Sequence, residues 1–322
     1  MSSLVRQRPF SVFYVLTIML AVLVMSVRGD IREKLPAFWE FLEQEGHYTN
    51  MIALAEFAER EPVFWGIFLS ASGPTLVAVL IAFAGWRACG VRHLFSRLAP
   101  WRGGVGWRQG LGVYAVMFLI FLSAVGISVT GQYFLGDEGN LDSYMAALGS
   151  GTWMVYVTLS AGILLDEGGT LEELGWRGFA LPVLLIRMGP VAASVLLGIL
   201  WWFWHVPREI PGLLNGSEVM LSIYGSYENF LMSQLKFVAL CVGLSILCTY
   251  AFFLTGGSAL VGIFIHGGTN VLSKALYLGV GDFGLRDVLV YVMAIGVLIL
   301  TRGKLGSDRN RDAVVWAPRT AG

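Results

Sequence analysis

Eight long apolar runs leave this chain few ways to fold. Each approaches the roughly 20 residues that an α-helix needs to cross a bilayer. Backbone groups find no hydrogen-bond partner in lipid, so such runs span a membrane as helices. The sequence therefore predicts an all-α fold, a polytopic membrane helical bundle with about eight transmembrane helices. The runs are Phe10–Val27, Val63–Trp86, Leu111–Phe134, Trp153–Ile186, Val191–Val206, Leu235–Leu254, Ala259–Leu278 and Val288–Thr301.

The composition agrees with a membrane protein and argues against a nucleic-acid partner. Hydrophobic residues make up 56% of the chain and charged residues only 14%, whereas soluble domains carry about 25% charged residues. The formal net charge is zero, so the overall charge does not suggest a nucleic-acid partner. The sequence has no CxxC motif and no Cys/His spacing typical of zinc. The expected partners are membrane lipid and a membrane-associated substrate.

Arginines predict the orientation. They crowd the segment between Arg87 and Arg108, precede the first run at Arg6 and Arg8, and follow the last run. Basic residues in short loops mark the cytoplasmic side, and an even number of spans puts all of these segments on one side. We therefore expect an integral, multi-pass membrane protein with both termini in the cytoplasm, located in the cell or plasma membrane if the source is bacterial.

Three regions follow from this pattern. Residues 1–150 hold the N-terminal transmembrane helices and an interfacial segment near 30–62. That segment is interpreted as one or two amphipathic helices on the outer interface, with a solvated loop as the alternative. Residues 151–280 form the functional core. Residues 281–322 hold the last transmembrane helix and a polar cytoplasmic tail, which is expected to be disordered.

Polar and ionisable groups within the apolar runs are the candidates for function, because each costs several kcal/mol in a membrane and is usually kept for a reason. They fall in the fourth to seventh runs. The candidates are Asp166, Glu167, Glu172, Glu173, Arg177, His205, Lys236, His266, Asn270 and Lys274.

The fourth run contains the stretch EELGWR. Glu173 and Arg177 are four residues apart, so an ion pair within one helix is predicted. Glu172 points about 100° away around the helix and therefore needs another partner. A straight helix over the whole run is too long for one span, and Gly168 and Gly169 are the candidate break.

Two histidines lie in other apolar runs. His205 follows an aromatic stretch, where a histidine in an interfacial aromatic belt is the plainer interpretation. His266 and Asn270 share one helix face because they are four residues apart. Gly267 and Gly268 between them permit close approach of another backbone or of a substrate. A polar pair that only packs two helices together is the alternative.

Chain spacing brings these groups together. A turn near Gly189 lies about midway between Glu172 and His205, so an antiparallel hairpin places both at similar depth. His266 reaches a comparable level from the turn at Gly256–Gly257. The catalytic candidates thus lie on the fourth, fifth and seventh apolar runs.

This set of side chains allows two chemistries. A carboxylate beside a histidine can deprotonate a water, while a second histidine and an amide can donate to an oxyanion. Alternatively, Glu172, His205 and His266 could bind Zn²⁺ and leave one position open. No HExxH motif supports the zinc site. The neighbours of His205 also offer no side-chain acceptor for its second nitrogen, which a zinc ligand usually has.

Three blocks carry a family resemblance: EExxxR, then an aromatic residue four positions before His205, then HxxxN. In this order and spacing they resemble the CPBP family of intramembrane proteases, also called the Abi or CAAX-protease family, which includes the Ras-converting prenyl-protein endopeptidase. The resemblance covers roughly Trp153–Leu278. It departs from the family at Trp201, where phenylalanine is usual.

The resemblance implies a role for each residue. Glu172 would activate water with His205, and His266 and Asn270 would form the oxyanion site. Three further residues would support them: Glu173, Arg177 and Trp201. The implied function is an intramembrane endopeptidase, without a cofactor on the preferred interpretation, that acts on a membrane-associated or lipidated protein or peptide.

Three alternatives stay open. The first is a zinc-dependent version of the same protease, and the second is a non-catalytic scaffold or immunity-type protein of the same fold. The third is a transporter with Glu172 and His205 as a proton relay. The sequence shows no inverted repeat of the kind that many transporters have.

Overall fold

The structure is a computed structural model that describes residues 2–27, 31–44, 50–134, 161–214, 221, 224–275, 279–280 and 283–318. Helices dominate these residues, and two short strands pair Gly279 with Gly284 and Val280 with Phe283. The longer helices are Pro9–Val27, Ile31–Gln44, Met51–Arg60, Trp65–Phe95, Trp107–Phe134, Glu167–Gly175, Pro190–Leu214, Tyr227–Leu254, Leu260–Ala275, Leu285–Leu300 and Ser307–Val314.

Five helices in the described part of the chain are long and apolar enough to cross a membrane. They are Pro9–Ser26, Pro62–Leu98, Trp107–Gly131, Pro190–Pro207 and Tyr227–Leu254. They coincide with the first, second, third, fifth and sixth predicted runs. The seventh run contains the shorter apolar helix Leu260–Val271. The prediction of a polytopic helical membrane bundle is confirmed.

Outward-facing side chains on several helices of the bundle, including Leu285–Leu300, are apolar. Leu80 is 63% exposed, Leu119 is 60% exposed and Ile299 is 70% exposed. Monomeric soluble proteins rarely show large contiguous apolar patches to water. Side chains of this kind on several helices are typical of a bundle whose outer surface contacts lipid.

The segment near 30–62 forms two amphipathic helices, Ile31–Gln44 and Met51–Arg60. The second begins at Asn50, whose side-chain oxygen accepts from the backbone of Ile52 and Ala53. The predicted helices are confirmed, but their apolar faces pack on each other instead of lying open. The aromatic members of this separate small core are Phe38, Phe41, Phe57 and Phe64.

The fourth run breaks at Asp166, two residues before the predicted glycine pair. Residues 161–165 are helical, and Asp166 then adopts an extended backbone with φ −65° and ψ 125°. Its side chain accepts from the backbone N–H of Gly169 at 2.6 Å. A carboxylate in this position satisfies a donor that the first turn leaves open, so a new helix starts at Glu167. We call Glu167–Gly175 the glutamate helix.

The glutamate helix continues into a π-helical segment, Trp176–Ala180, in which the N–H of Leu181 reaches the carbonyl of Trp176. A π-turn holds more residues than an α-turn and is frequent near functional sites. The chain then turns and enters Pro190–Leu214, which we call the tryptophan helix. The π-helical segment rises less per residue than an α-helix. The number of residues between Gly189 and Glu172 therefore overestimates the distance between them along the helix axis.

The tail after Thr301 is folded as far as residue 318, so the expectation of disorder is wrong there. Ser307–Val314 is a helix, and Val314 and Trp316 are buried. The backbone N–H of Trp316 donates to the carbonyl of Pro182 at 3.2 Å. The tail was expected to be disordered because it is polar on average. Its few apolar side chains are buried, and their burial holds the tail on the bundle.

Candidate active site

Close backbone contacts fix the glutamate helix among its neighbours. A Cβ on Gly175 would collide with the backbone of Pro74, and Thr75 donates to the carbonyl of Leu171 at 2.6 Å. On the other side, a Cβ on Gly169 would lie 2.7 Å from the backbone nitrogen of Gly267. Only glycines allow this approach. Glu172 and Glu173 are therefore held between the helices Trp65–Phe95 and Leu260–Ala275.

Leu260–Ala275, which we call the histidine helix, carries the HxxxN block. A Cβ on Gly267 would collide with the carbonyl of Ile163, and one on Gly268 would collide with the ring of Phe121. The glycine pair thus admits a neighbouring backbone and an aromatic ring. The close approach predicted from the sequence is present.

Glu173 joins two of the three blocks. Its Oε1 accepts from Arg177 at 2.7 Å, as the four-residue spacing predicted. The same oxygen lies 2.9 Å from Nδ1 of His266. Because a carboxylate oxygen accepts, Nδ1 of His266 carries the proton. The three side chains are almost completely buried, so Glu173 both neutralises Arg177 and fixes the ring of His266.

Glu172 finds its partner in the tryptophan helix. The indole N–H of Trp201 donates to Glu172 Oε2 at 2.8 Å. The ring of Trp201 also packs edge-on against His266, with centroids 4.8 Å apart. The guanidinium of Arg177 lies 4.6 Å from the centre of that ring. Phenylalanine, the usual family residue, has no N–H, so the departure at position 201 supplies a donor to a buried carboxylate.

His205 lies one turn further along the tryptophan helix. Its Nδ1 is 2.9 Å from the carbonyl of Trp201, and its ring packs against Trp204 and Phe237 at 4.7 and 5.0 Å. The equal-depth estimate put His205 level with Glu172, but the residue that bonds Glu172 is Trp201. Trp201 therefore connects the two, through its indole to Glu172 and through its carbonyl to His205.

His266 and Asn270 face a common point beside Gly168. A Cβ on Gly168 would lie 3.1 Å from Nε2 of His266 and 3.2 Å from Nδ2 of Asn270. The shared helix face predicted from the spacing therefore has a common target beside Gly168. Two nitrogens that converge on one point can bind a negatively charged oxygen when both carry a hydrogen, which for His266 requires the doubly protonated ring.

Asp166 is a residue of the site to which the sequence assigned no role. It is 2% exposed, and its Oδ1 accepts from Asn270 Nδ2 at 3.0 Å. The sequence did carry a signal, because an aspartate immediately before a helix start is typical of an N-cap. Asn270 lies 104 residues further along the chain, so no local sequence pattern predicts its contact with Asp166.

The three side chains of the alternative zinc site, Glu172, His205 and His266, each have a protein hydrogen-bond partner. Within the described ranges, no group of three or more His, Cys, Asp or Glu side chains is placed to hold a metal ion. Glu172 is bonded to Trp201 and His266 to Glu173. The carbonyl of Trp201 nevertheless gives His205 a backbone acceptor, although its neighbouring side chains offer none.

The fold and these contacts define a class of protein: a helical membrane bundle in which buried glutamates and a buried histidine lie with a half-buried histidine and asparagine where three helices meet. Comparison with known proteins then shows what the segment is similar to. A family model described as type II CAAX prenyl endopeptidase Rce1-like matches residues 147–272. That range is less than half of the chain but contains all three blocks.

A curated relative agrees over a shorter stretch. CAAX prenyl protease 2 of Methanococcus maripaludis is 50% identical over 44 residues, which are 14% of this chain and 16% of that protein. The chain thus matches about a sixth of the relative's length. Together the two findings confirm that this segment is similar to the CPBP, or CAAX-protease, family, as the three blocks indicated.

Proposed function

We propose that this protein is an intramembrane endopeptidase that hydrolyses a peptide bond with an activated water. The observation that carries the proposal is the convergence of His266 Nε2 and Asn270 Nδ2 on the space beside Gly168. Helix packing alone does not require two nitrogens to face one point. The family match of residues 147–272 supports protease chemistry at this location.

The first step is attack by water. Trp201 bonds Oε2 of Glu172, which leaves Oε1 to accept a proton from a water molecule. His205 lies beside Trp201 and assists this deprotonation. The water oxygen bonds to the carbonyl carbon of the substrate, and the carbonyl oxygen becomes an oxyanion. No side chain forms a covalent intermediate in this scheme.

The second step is stabilisation and collapse of that intermediate. His266 and Asn270 donate to the oxyanion, and one such donor typically contributes about 10²–10³-fold in kcat. His266 donates through Nε2 when both ring nitrogens are protonated, and its Nδ1 still donates to Glu173 in that form. The carbon–nitrogen bond then breaks, and the leaving amine takes the proton that Glu172 received.

The substrate class follows from the surroundings and from the relatives. An active site among membrane helices favours a membrane-associated or lipidated protein or peptide. The matching relative is described as a CAAX prenyl protease, so a prenylated CaaX peptide is the first substrate to test. Membrane lipid is the other expected partner.

The test uses the full chain in liposomes with a prenylated CaaX peptide, the same peptide without its prenyl group, and an unrelated transmembrane peptide. We expect the wild-type protein to cleave at least one of them and His205→Ala to cleave none. The variant must insert and unfold like the wild-type protein. No cleavage of any probe by the wild-type protein, or equal cleavage by His205→Ala, would contradict the proposal.

A further inference from the structure

We propose that Asp166 is a positioning residue that fixes which end of the Asn270 amide faces the oxyanion. The inference rests on the proposed function, in which Asn270 donates to that oxygen. It assigns a specific role to a buried carboxylate outside the three sequence blocks. The role is exerted through Asn270, whose Nδ2 donates to Asp166 Oδ1.

The orientation follows from hydrogen-bond chemistry. The two ends of an asparagine amide have nearly the same shape, but the NH₂ end donates and the oxygen end accepts. Asp166 Oδ1 lies 3.0 Å from Asn270 Nδ2. An ionised carboxylate only accepts, so it bonds the NH₂ end. A flipped amide would place two acceptor oxygens against each other.

The same nitrogen reaches the reaction space. Asn270 Nδ2 carries two hydrogens, one directed at Asp166, and it borders the position that a Cβ on Gly168 would occupy at 3.2 Å. A flipped amide would present a lone pair to the oxyanion and repel it. If Asp166 holds the NH₂ end in place before the substrate reacts, it accounts for part of the increase in kcat that the Asn270 donor contributes.

Asp166 is itself held in place. Its Oδ1 also accepts from the backbone N–H of Gly169 at 2.6 Å, and the residue is 2% exposed. The oxygen that starts the glutamate helix thus also orients a side chain on the histidine helix. This couples the position of Glu172 to the orientation of Asn270.

A purely structural cap is the competing explanation, and substitutions at position 166 separate the two. Asp166→Ser keeps a good N-cap oxygen for Gly169 but is too short to reach Asn270 as well. Asp166→Asn can keep an acceptor oxygen for both partners and serves as the conservative rescue. The cap explanation predicts that both variants behave like the wild-type protein.

The experiment is a double-mutant cycle on kcat and KM, measured with the peptide that the wild-type protein cleaves and with unfolding temperatures recorded for each variant. The four proteins are wild type, Asp166→Ser, Asn270→Ala and the double variant, with Asp166→Asn beside them. We expect Asp166→Ser to lower kcat several-fold at unchanged KM, and Asp166→Asn to retain most activity. In the Asn270→Ala background, Asp166→Ser should cost nothing more, because residues that act through one another are not additive.

Two outcomes overturn the inference alone: wild-type kcat in Asp166→Ser, or a loss from Asp166→Ser that is the same factor with and without Asn270. A different outcome removes the proposed oxyanion site itself. If Asn270→Ala turns over at the wild-type rate, Asn270 is not a donor, whatever Asp166 does.

Discussion

At the scale of single residues, each of three buried carboxylates bonds a different set of partners. Asp166 holds an amide, Glu172 accepts from an indole, and Glu173 accepts from a guanidinium and an imidazole. Charges in a membrane interior are costly and need such partners. The sequence predicted the ion pair of Glu173 with Arg177, because that contact is local, whereas the other partners lie on distant helices.

Glu173→Ala is expected to lower both stability and activity. The sequence alone gave Glu173 a lesser role than Glu172, but the structure adds His266 to its contacts. Removing one member of a buried ion pair leaves the other charge uncompensated and typically costs about 3–5 kcal/mol. Thermal unfolding and peptide turnover of the purified variant measure the two effects. An unfolding temperature and turnover like those of the wild-type protein would contradict this role.

Trp201→Phe tests the donor to Glu172 without removing the ring. The variant loses the 2.8 Å hydrogen bond but keeps an aromatic ring against Arg177 and His266. A hydrogen bond to a charged group contributes about 1.5–3 kcal/mol, so we expect slower but measurable turnover. Trp201→Leu, which also loses the ring contacts, should be slower still. If Trp201→Phe is completely inactive, the indole has a larger role than this geometry gives it.

At the scale of helices, the sequence predicted what is local and missed what depends on packing. Five apolar runs became membrane-length helices because length and hydropathy are local properties. The prediction for the fourth run was wrong in detail. The break at Asp166 and the π-segment Trp176–Ala180 depend on contacts with other helices. The same is true of the folded tail, which Trp316 anchors beside Pro182.

Gly169→Ala tests the contact between the glutamate and histidine helices. A methyl group would lie 2.7 Å from the backbone nitrogen of Gly267, and neither backbone can yield easily. The two helices must separate, which moves Glu173 away from His266. We expect a lower unfolding temperature and lower turnover. Gly112→Ala is the matched control, because nothing lies within 4 Å of its added Cβ, and equal behaviour of the two variants would contradict the contact.

At the scale of the whole molecule, the protein is a helical bundle with apolar outer faces and a polar cluster where three helices meet. The placement of both termini in the cytoplasm remains a prediction from the arginine distribution. The absence of a cofactor is likewise a proposal. It rests on side chains that already bond one another and on Asn270, whose amide is a good donor and a poor zinc ligand.

Chelation addresses the cofactor directly. Because Glu172 and His266 already have protein partners, we expect turnover to survive exhaustive treatment with a chelator. Metal analysis of the active protein should find no stoichiometric metal. The opposite result would be one bound zinc per active chain, loss of activity when the zinc is removed, and recovery of activity when zinc is added back. That result would support the zinc-dependent alternative.

The most direct test of the account is the turnover of Glu172→Gln. Glutamine nearly matches the size of glutamate and can still accept from Trp201, but it cannot take a proton from water. We therefore expect the variant to insert and unfold like the wild-type protein while peptide cleavage is abolished. Glu59→Gln, at an exposed glutamate, should cleave at the wild-type rate. Near-normal cleavage by well-folded Glu172→Gln would contradict the central claim that this carboxylate activates the water.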